Sequence, residues 1–191
     1  MTSVARAFLA IVPPPEILDA VDALLDRDAA TQRFKWTRRD QWHVTIQFYG
    51  RVADVETLTA ALIAACAARP PIRLQLRGGG AFPRPRRAEI YWLGVDDGDA
   101  LASLHQTVMD ATAAFVARRD RTTFHPHLTL ARLTSRLDLT EDVEALERVP
   151  VGTPWTASEL VLMASETRRE GAVYSELARI PLGGTPPTLP G

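Results

Sequence analysis

One cysteine, one lysine and the lack of any long apolar run bound what this chain can be. With Cys66 alone no internal disulfide can form, and its place in an alanine-rich stretch reads as a small core residue of a helix, a catalytic thiol being the lesser reading. The apolar run 7–12 is stopped by Pro13-Pro14-Pro15, which makes it too short for a membrane span or a signal core. A cytoplasmic protein with no membrane partner is expected. The formal net charge of −1 leaves no broad basic footprint, so a nucleic-acid partner must be held locally. Arginine supplies every basic residue except Lys35, which together with abundant alanine reads as codon bias rather than function.

What is present suffices for one substantial core, since 191 residues can bury most of their apolar surface. The expectation is a single bilobal domain over residues 1–182, monomeric, followed by a disordered tail over 183–191, where glycine and proline recur without periodicity. Apolar spacing predicts helices over 16–29, 54–68, 101–115 and 140–146, with Asp54, Asp97 or Asp99, and Thr140 as N-caps. Alternation predicts strands over 6–12, around His43, over 72–77 with Gly78-Gly79-Gly80 as a break, over 87–95 and around His127. A closing hairpin, 155–165 with 172–182, completes them. The order β-α-β-α-β-β-α-β-α-β-β predicts an α+β fold rather than a doubly wound parallel sheet.

Two copies of one pattern carry the chemistry: His43-Val44-Thr45-Ile46 and His127-Leu128-Thr129-Leu130. In a strand, side chains at i and i+2 share a face, so each quartet sets a histidine and a threonine on one side and two aliphatic residues on the other. With four histidines in the chain, two such quartets arise by chance with a probability on the order of 1 %. Imidazoles titrate near neutrality, so one can take a proton from water while the other gives one to a leaving oxygen. The threonine hydroxyls can donate to nonbridging phosphate oxygens. This set suits phosphodiester hydrolysis without a metal.

Several residues carry two readings. His125 and His127 form a His-x-His pair compatible with a metal, but no Asp or Glu stands in the motif, and His125 reads better as a residue at the cleft edge. Arg132 has the opposite strand parity from His127, so a phosphate contact needs a twist or a bulge; the alternative is a structural ion pair. Arg84, Arg86 and Arg87 either hold an RNA backbone or form a solvated loop. Among the aromatic residues Trp36, Trp42, Phe82 and Tyr91, Trp36 lies between polar neighbours and is the candidate to stack on a base.

The quartets, together with Lys35-Trp36, Phe82-Pro83-Arg84, Tyr174-Ser175-Glu176-Leu177 and Pro181-Leu182, resemble the two-histidine phosphoesterase superfamily. Within it the likeness is to the RNA 2′,3′-cyclic phosphodiesterases, once named 2′-5′ RNA ligases. The resemblance implies two α+β lobes around a cleft, with antiparallel sheets flanked by helices, and no cofactor or metal. It implies hydrolysis of RNA 2′,3′-cyclic phosphate ends to 2′-phosphomonoesters, with RNA or oligonucleotide ends as partners. His43 would be the proton donor, His127 the proton acceptor, and Thr45 and Thr129 would hold the phosphate. Arg132, Trp36, Phe82, Arg84 and His125 would bind substrate. His125 departs from the family, which often has a basic residue such as arginine there. Two alternatives stand beside this reading: an RNA-end binding module without turnover, and a phosphodiesterase for another cyclic phosphate such as ADP-ribose 1″,2″-cyclic phosphate.

Overall fold

The computed structural model describes residues 2–25, 33–116, 123–168 and 171–183. Its strands are β1 (Val4–Ile11), β2 (Phe34–Trp36), β3 (Val44–Val52), β4 (Ile72–Phe82), β5 (Ala88–Asp96), β6 (His127–Leu137), β7 (Pro150–Ala157), β8 (Glu159–Arg168) and β9 (Gly171–Pro181). Its helices are α1 (Pro15–Leu24), α2 (Val55–Cys66), α3 (Ala100–Ala111) and α4 (Thr140–Ala145). No helix among the described residues is long and apolar enough to cross a membrane.

The strands form one nine-stranded sheet in the order β7-β4-β5-β6-β3-β1-β8-β9, with β2 added to β6, and every pairing is antiparallel. This divides into a lobe of four strands, β3-β1-β8-β9, and one of five, β7-β4-β5-β6 with β2. They meet where β3 and β6 touch through a single register pair, Val44 opposite Leu128. Val44, Ile46, Leu128 and Leu130 are buried beside Leu9 and Leu93, each burial contributing about 1.5–3 kcal/mol. The aliphatic half of each quartet therefore anchors the seam between the lobes.

Two of the helices cross that seam. Helix α1 follows β1 of one lobe yet packs on β7 of the other, with Ile17 and Val21 fully buried. Helix α3 follows β5 of the second lobe yet packs on β3 and α2 of the first. Gly152 of β7 makes room for α1, because a Cβ there would stand 3.0 Å from Ile17 Cδ1.

Several elements differ from their sequence signals. Helix α1 begins at Pro15, with proline at its first position, and ends at Leu24; residues 26–29 of the expected helix lie outside the described ones. The three glycines do not break β4, which runs through them with a register shift between Leu76 and Gly79. Gly80 is required there: a Cβ would lie 2.1 Å from Cη2 of Trp92, whose ring crosses the strand at that point. Strand β2 has only three residues, too few for periodicity to register. The expected strand 155–165 is two strands, β7 at one edge of the sheet and β8 between β1 and β9 in the other lobe, because the chain changes lobes at Ser158 without a turn signal. At α3 the side chain of Asp97 accepts from Leu101 N–H at 2.6 Å, and before α4 Asp138, rather than Thr140, plays that part toward the Thr140 N–H. Cys66 sits fully buried in α2, its thiol pushed up to about 11 by burial, as a core residue would be. Of the expected tail only Gly183 is among the described residues.

Candidate active site

The two quartets arrive at the seam as equivalents about an approximate twofold axis, as antiparallel strands do. The antiparallel register of Val44 with Leu128, continued by one residue each way, sets His43 across from Thr129 and Thr45 across from His127. Each histidine thus faces the other motif's threonine.

Both rings are held alike. His43 Nδ1 is 2.7 Å from the carbonyl of Gln41, and His127 Nδ1 is 2.7 Å from the carbonyl of His125, in each case the residue two positions earlier. A carbonyl only accepts, so each Nδ1 carries a hydrogen, and Nε2 is left as the nitrogen available for proton transfer. Gln41 is itself tied down, its side-chain amide donating to the carbonyl of Ala172 on β9. On the other side Pro126 fixes the chain between His125 and His127.

Aromatic rings wall both imidazoles. His43 lies 4.7 Å from the Phe8 ring and 5.3 Å from Tyr174, which meets it edge-on. His127 lies 5.0 Å from Phe82, again edge-on, and 5.8 Å from Trp92. This burial has an electrostatic result. It pulls the pKa of His43 down to about 4, with the charge of His127 adding to the effect and the bond to Gln41 opposing it. His127 is lowered as well, first by burial and then by the charges of His125 and Arg132, against the pull of its bond to the His125 carbonyl. The charge of His127 reaches His43, and burial favours the neutral form of both rings.

Arg132 reaches this site by a device that the sequence does not announce. In β3, Ala10 pairs with Thr45 and Leu9 with Gln47, so Ile46 is an extra residue. In β6, Trp92 pairs with Thr129 and Tyr91 with Ala131, so Leu130 is an extra residue. Each quartet thus ends in a β-bulge, which turns both its fourth residue and the next toward the core and reverses the parity beyond. Ile46, Gln47, Leu130 and Ala131 are accordingly buried. Phe48 and Arg132 return to the cleft face. Arg132 acts electrostatically on His127 of its own lobe and on Tyr174 of the opposite one, so it overlooks the seam.

The remaining sequence candidates divide. Phe82 lines the His127 wall, and His125 stands exposed at its edge, 5.7 Å from Trp92. Arg84 is exposed at the head of the 3-10 turn Pro85–Arg87 and makes no ion pair among the described residues. Trp36 is not at the cleft: its ring stacks on Phe34 at 4.8 Å, and Phe34 packs toward Tyr91 on the core side. The residue of β2 that shares the face of Arg132 is its direct register partner, Lys35. Sequence reasoning also passed over Phe48, which is 64 % exposed and 6.0 Å from the Phe8 ring. Alternation alone sets Phe48 on the face of Val44 and Ile46, so the sequence carried no signal for it. Among the described residues no group of three or more His, Cys, Asp and Glu gathers as a metal site.

Two antiparallel lobes, each lending one His-x-Thr quartet to a shared seam, define a two-histidine phosphoesterase. The chain belongs to the 2′-5′ RNA ligase superfamily, whose family model matches residues 13–169. An RNA 2′,3′-cyclic phosphodiesterase of Methanothermobacter thermautotrophicus is 28 % identical over 178 residues, covering 90 % of this chain and 96 % of the relative. Another of that name, from Aeropyrum pernix, is 30 % identical and covers 76 % of this chain and 85 % of its own. The crystal structure of Escherichia coli LigT complexed with 3′-AMP superposes with a TM-score of 0.72 at 26 % identity, covering 94 % of this chain and 99 % of that one.

Proposed function

We propose that this protein hydrolyses the 2′,3′-cyclic phosphate at RNA ends to a 2′-phosphomonoester and a free 3′ hydroxyl, using its two histidines and no metal. The observation that carries the reading is the matched anchoring of His43 and His127, each held through Nδ1 to the carbonyl two residues earlier, on motifs joined by the register pair Val44–Leu128. The names of the relatives and the nucleotide bound to LigT support the substrate class.

In the reaction, water attacks phosphorus and gives its proton to His127 Nε2, while the P–O3′ bond breaks and His43 Nε2 protonates the departing oxygen. Solvent then restores both protonation states. Hydroxyls of Thr45 and Thr129 donate to the nonbridging oxygens as negative charge builds on them, and the Arg132 guanidinium adds a charge-assisted contact. Each histidine contributes on the order of 10²- to 10⁴-fold in rate. One imidazole must enter the cycle charged although both pKa values are lowered. The phosphodiester anion supplies the compensation, because a negative charge between the rings favours the imidazolium. Both quartets come from one chain, which supports a monomer as the working unit.

One observation favours the reverse assignment of roles: His43 is the more strongly held in its neutral form, as a base would be. A substrate with sulfur in place of the 3′ oxygen separates the two, since thiolate leaves without protonation. His43→Ala should be rescued by it and His127→Ala should not; the opposite pattern assigns the acid to His127.

The governing test is turnover of a panel of cyclic phosphates in EDTA. Opening of 2′,3′-cyclic nucleotides and oligonucleotides to the 2′ product is expected, with loss in both histidine variants. Tight binding without product would select an end-binding module. Preference for ADP-ribose 1″,2″-cyclic phosphate would move the substrate elsewhere, and an absolute metal requirement would overturn the mechanism.

A further inference from the structure

His105 belongs to neither quartet, yet it touches the first and the segment that leads into the second. It lies partly buried on α3, the helix that leaves one lobe and packs on the other. Its Nδ1 stands 2.7 Å from the carbonyl of Ile46, so the ring donates to it. Ile46 is the bulge residue directly after Thr45. The His105 ring also lies flat on Phe124, with centroids 4.3 Å apart and planes 7° from parallel. Phe124 directly precedes His125, whose carbonyl holds His127. One imidazole therefore grips the strand behind the first threonine and the segment that anchors the second histidine.

The opposite bulge explains why a side chain is needed. There the carbonyl of Leu130 accepts from the backbone N–H of Thr37 at 2.8 Å, a donor that the neighbouring chain supplies whatever its side chain. The Ile46 carbonyl receives its bond from a side chain of the crossing helix instead. A bulge carbonyl left without a partner in partly buried surroundings is costly, and the backbone shifts to find one. A shift at Ile46 carries Thr45 with it.

We infer that His105 is a positioning residue that couples the two quartets, fixing Thr45 through the Ile46 carbonyl and His127 through Phe124. It acts on the reaction through those groups and does not touch substrate. The inference rests on the phosphodiesterase reading above.

Three variants test it: His105→Ala, His105→Asn, whose amide can replace the Nδ1 donor, and His105→Phe, which keeps a stacked ring and lacks the donor. On a 2′,3′-cyclic nucleotide, His105→Ala should lower kcat about 10-fold or more with KM changed less than about threefold, the pattern of a misplaced group rather than lost binding. His105→Asn and His105→Phe should each recover part of the loss. Imidazole NMR gives a second readout that needs no turnover: it follows the titration of His127 among its charged neighbours His43, His125 and Arg132. That titration should move toward the ordinary histidine value in His105→Ala and His105→Asn and stay in place in His105→Phe.

Wild-type kcat in a folded His105→Ala protein, or kcat losses in all three variants that track only the melting temperature while His127 titrates unchanged, would overturn the inference. Should His105→Ala fail to fold, the other two variants decide by the same criteria. If the wild-type protein itself opens no cyclic nucleotide, the phosphodiesterase reading has failed, and the NMR comparison alone judges His105.

Discussion

Phe48 and Arg132 hold the same place in the two lobes: each stands five residues after its histidine, and each is returned to the cleft face by the bulge that ends its quartet. One position offers a bare aromatic face and the other a guanidinium. Together they suit a nucleotide, whose base can lie on the first while its phosphate meets the second.

The two should therefore fail differently. Phe48→Ala should raise KM for a cyclic mononucleotide about 10-fold, from a stacking loss of about 1–3 kcal/mol, and leave a base-free ribose cyclic phosphate unaffected. Arg132→Ala should lower kcat/KM on both substrates by about 10- to 100-fold, the worth of a charge-assisted hydrogen bond. Steady-state kinetics on the two compounds makes the comparison.

Burial of His43 predicts an acid-sensitive fold. Its pKa falls from 6.5 in the unfolded chain to about 4 in the folded one. Between those values the unfolded chain binds the extra proton, so stability is complete above pH 6.5 and is lost as pH drops toward 4. The loss attributable to this group is about 3 kcal/mol. Urea denaturation at pH 7 and pH 4.5 should show a smaller difference in His43→Gln than in the wild type. The same lowered values place the maximum of kcat/KM on the acid side of 6.5, because the pair in the free enzyme must hold one proton.

Gly80 is the seat of the Trp92 ring. In Gly80→Ala the new methyl group would occupy the place of the Trp92 ring, which must then leave its position against His127. We expect destabilisation of about 1–3 kcal/mol from overpacking, together with reduced kcat. Trp92→Ala in the same chain should relieve most of the stability loss, and a double-mutant cycle on thermal unfolding measures that coupling.

Lys35 and Arg132 set two like charges directly opposite on one sheet face, both exposed and neither ion-paired among the described residues. Such a pair destabilises a sheet until an anion lies across it. Lys35→Gln should weaken binding of an oligonucleotide with a cyclic end and spare the mononucleotide. The logarithmic salt slope for the oligonucleotide should flatten by about 0.7, one single-strand phosphate contact. Fluorescence anisotropy across a range of salt concentrations follows both.

The parts of this molecule that announce themselves in sequence are those fixed by local periodicity. The alternation within each quartet set Thr45, His127 and Thr129 on strands, with His43 one residue before β3, and the apolar spacing of Leu58, Leu62 and Ile63 marked α2. The bulges at Ile46 and Leu130 were hidden because a bulge is a mismatch between two strands, and one strand's residues do not reveal the count on its neighbour. Arg132 was legible only as a question of parity, which the Leu130 bulge answers. Trp36 misled for a related reason: its polar sequence neighbours alternate onto the other face, leaving the indole against Phe34. His105 gave no signal, since its partners Ile46 and Phe124 are remote along the chain and meet it only when α3 crosses the seam.

That crossing makes the halves interdependent despite their likeness. A fragment stopping before β5 would carry α1 with Ile17 and Val21 bare, since the strand that shelters them, β7, is encoded far downstream. The complementary fragment would keep α3 and lose the surface it rests on. Neither piece should be soluble alone, whereas co-expressed pieces should reassemble. Any ancestor built from two identical units would have had to trade helices between them from the outset.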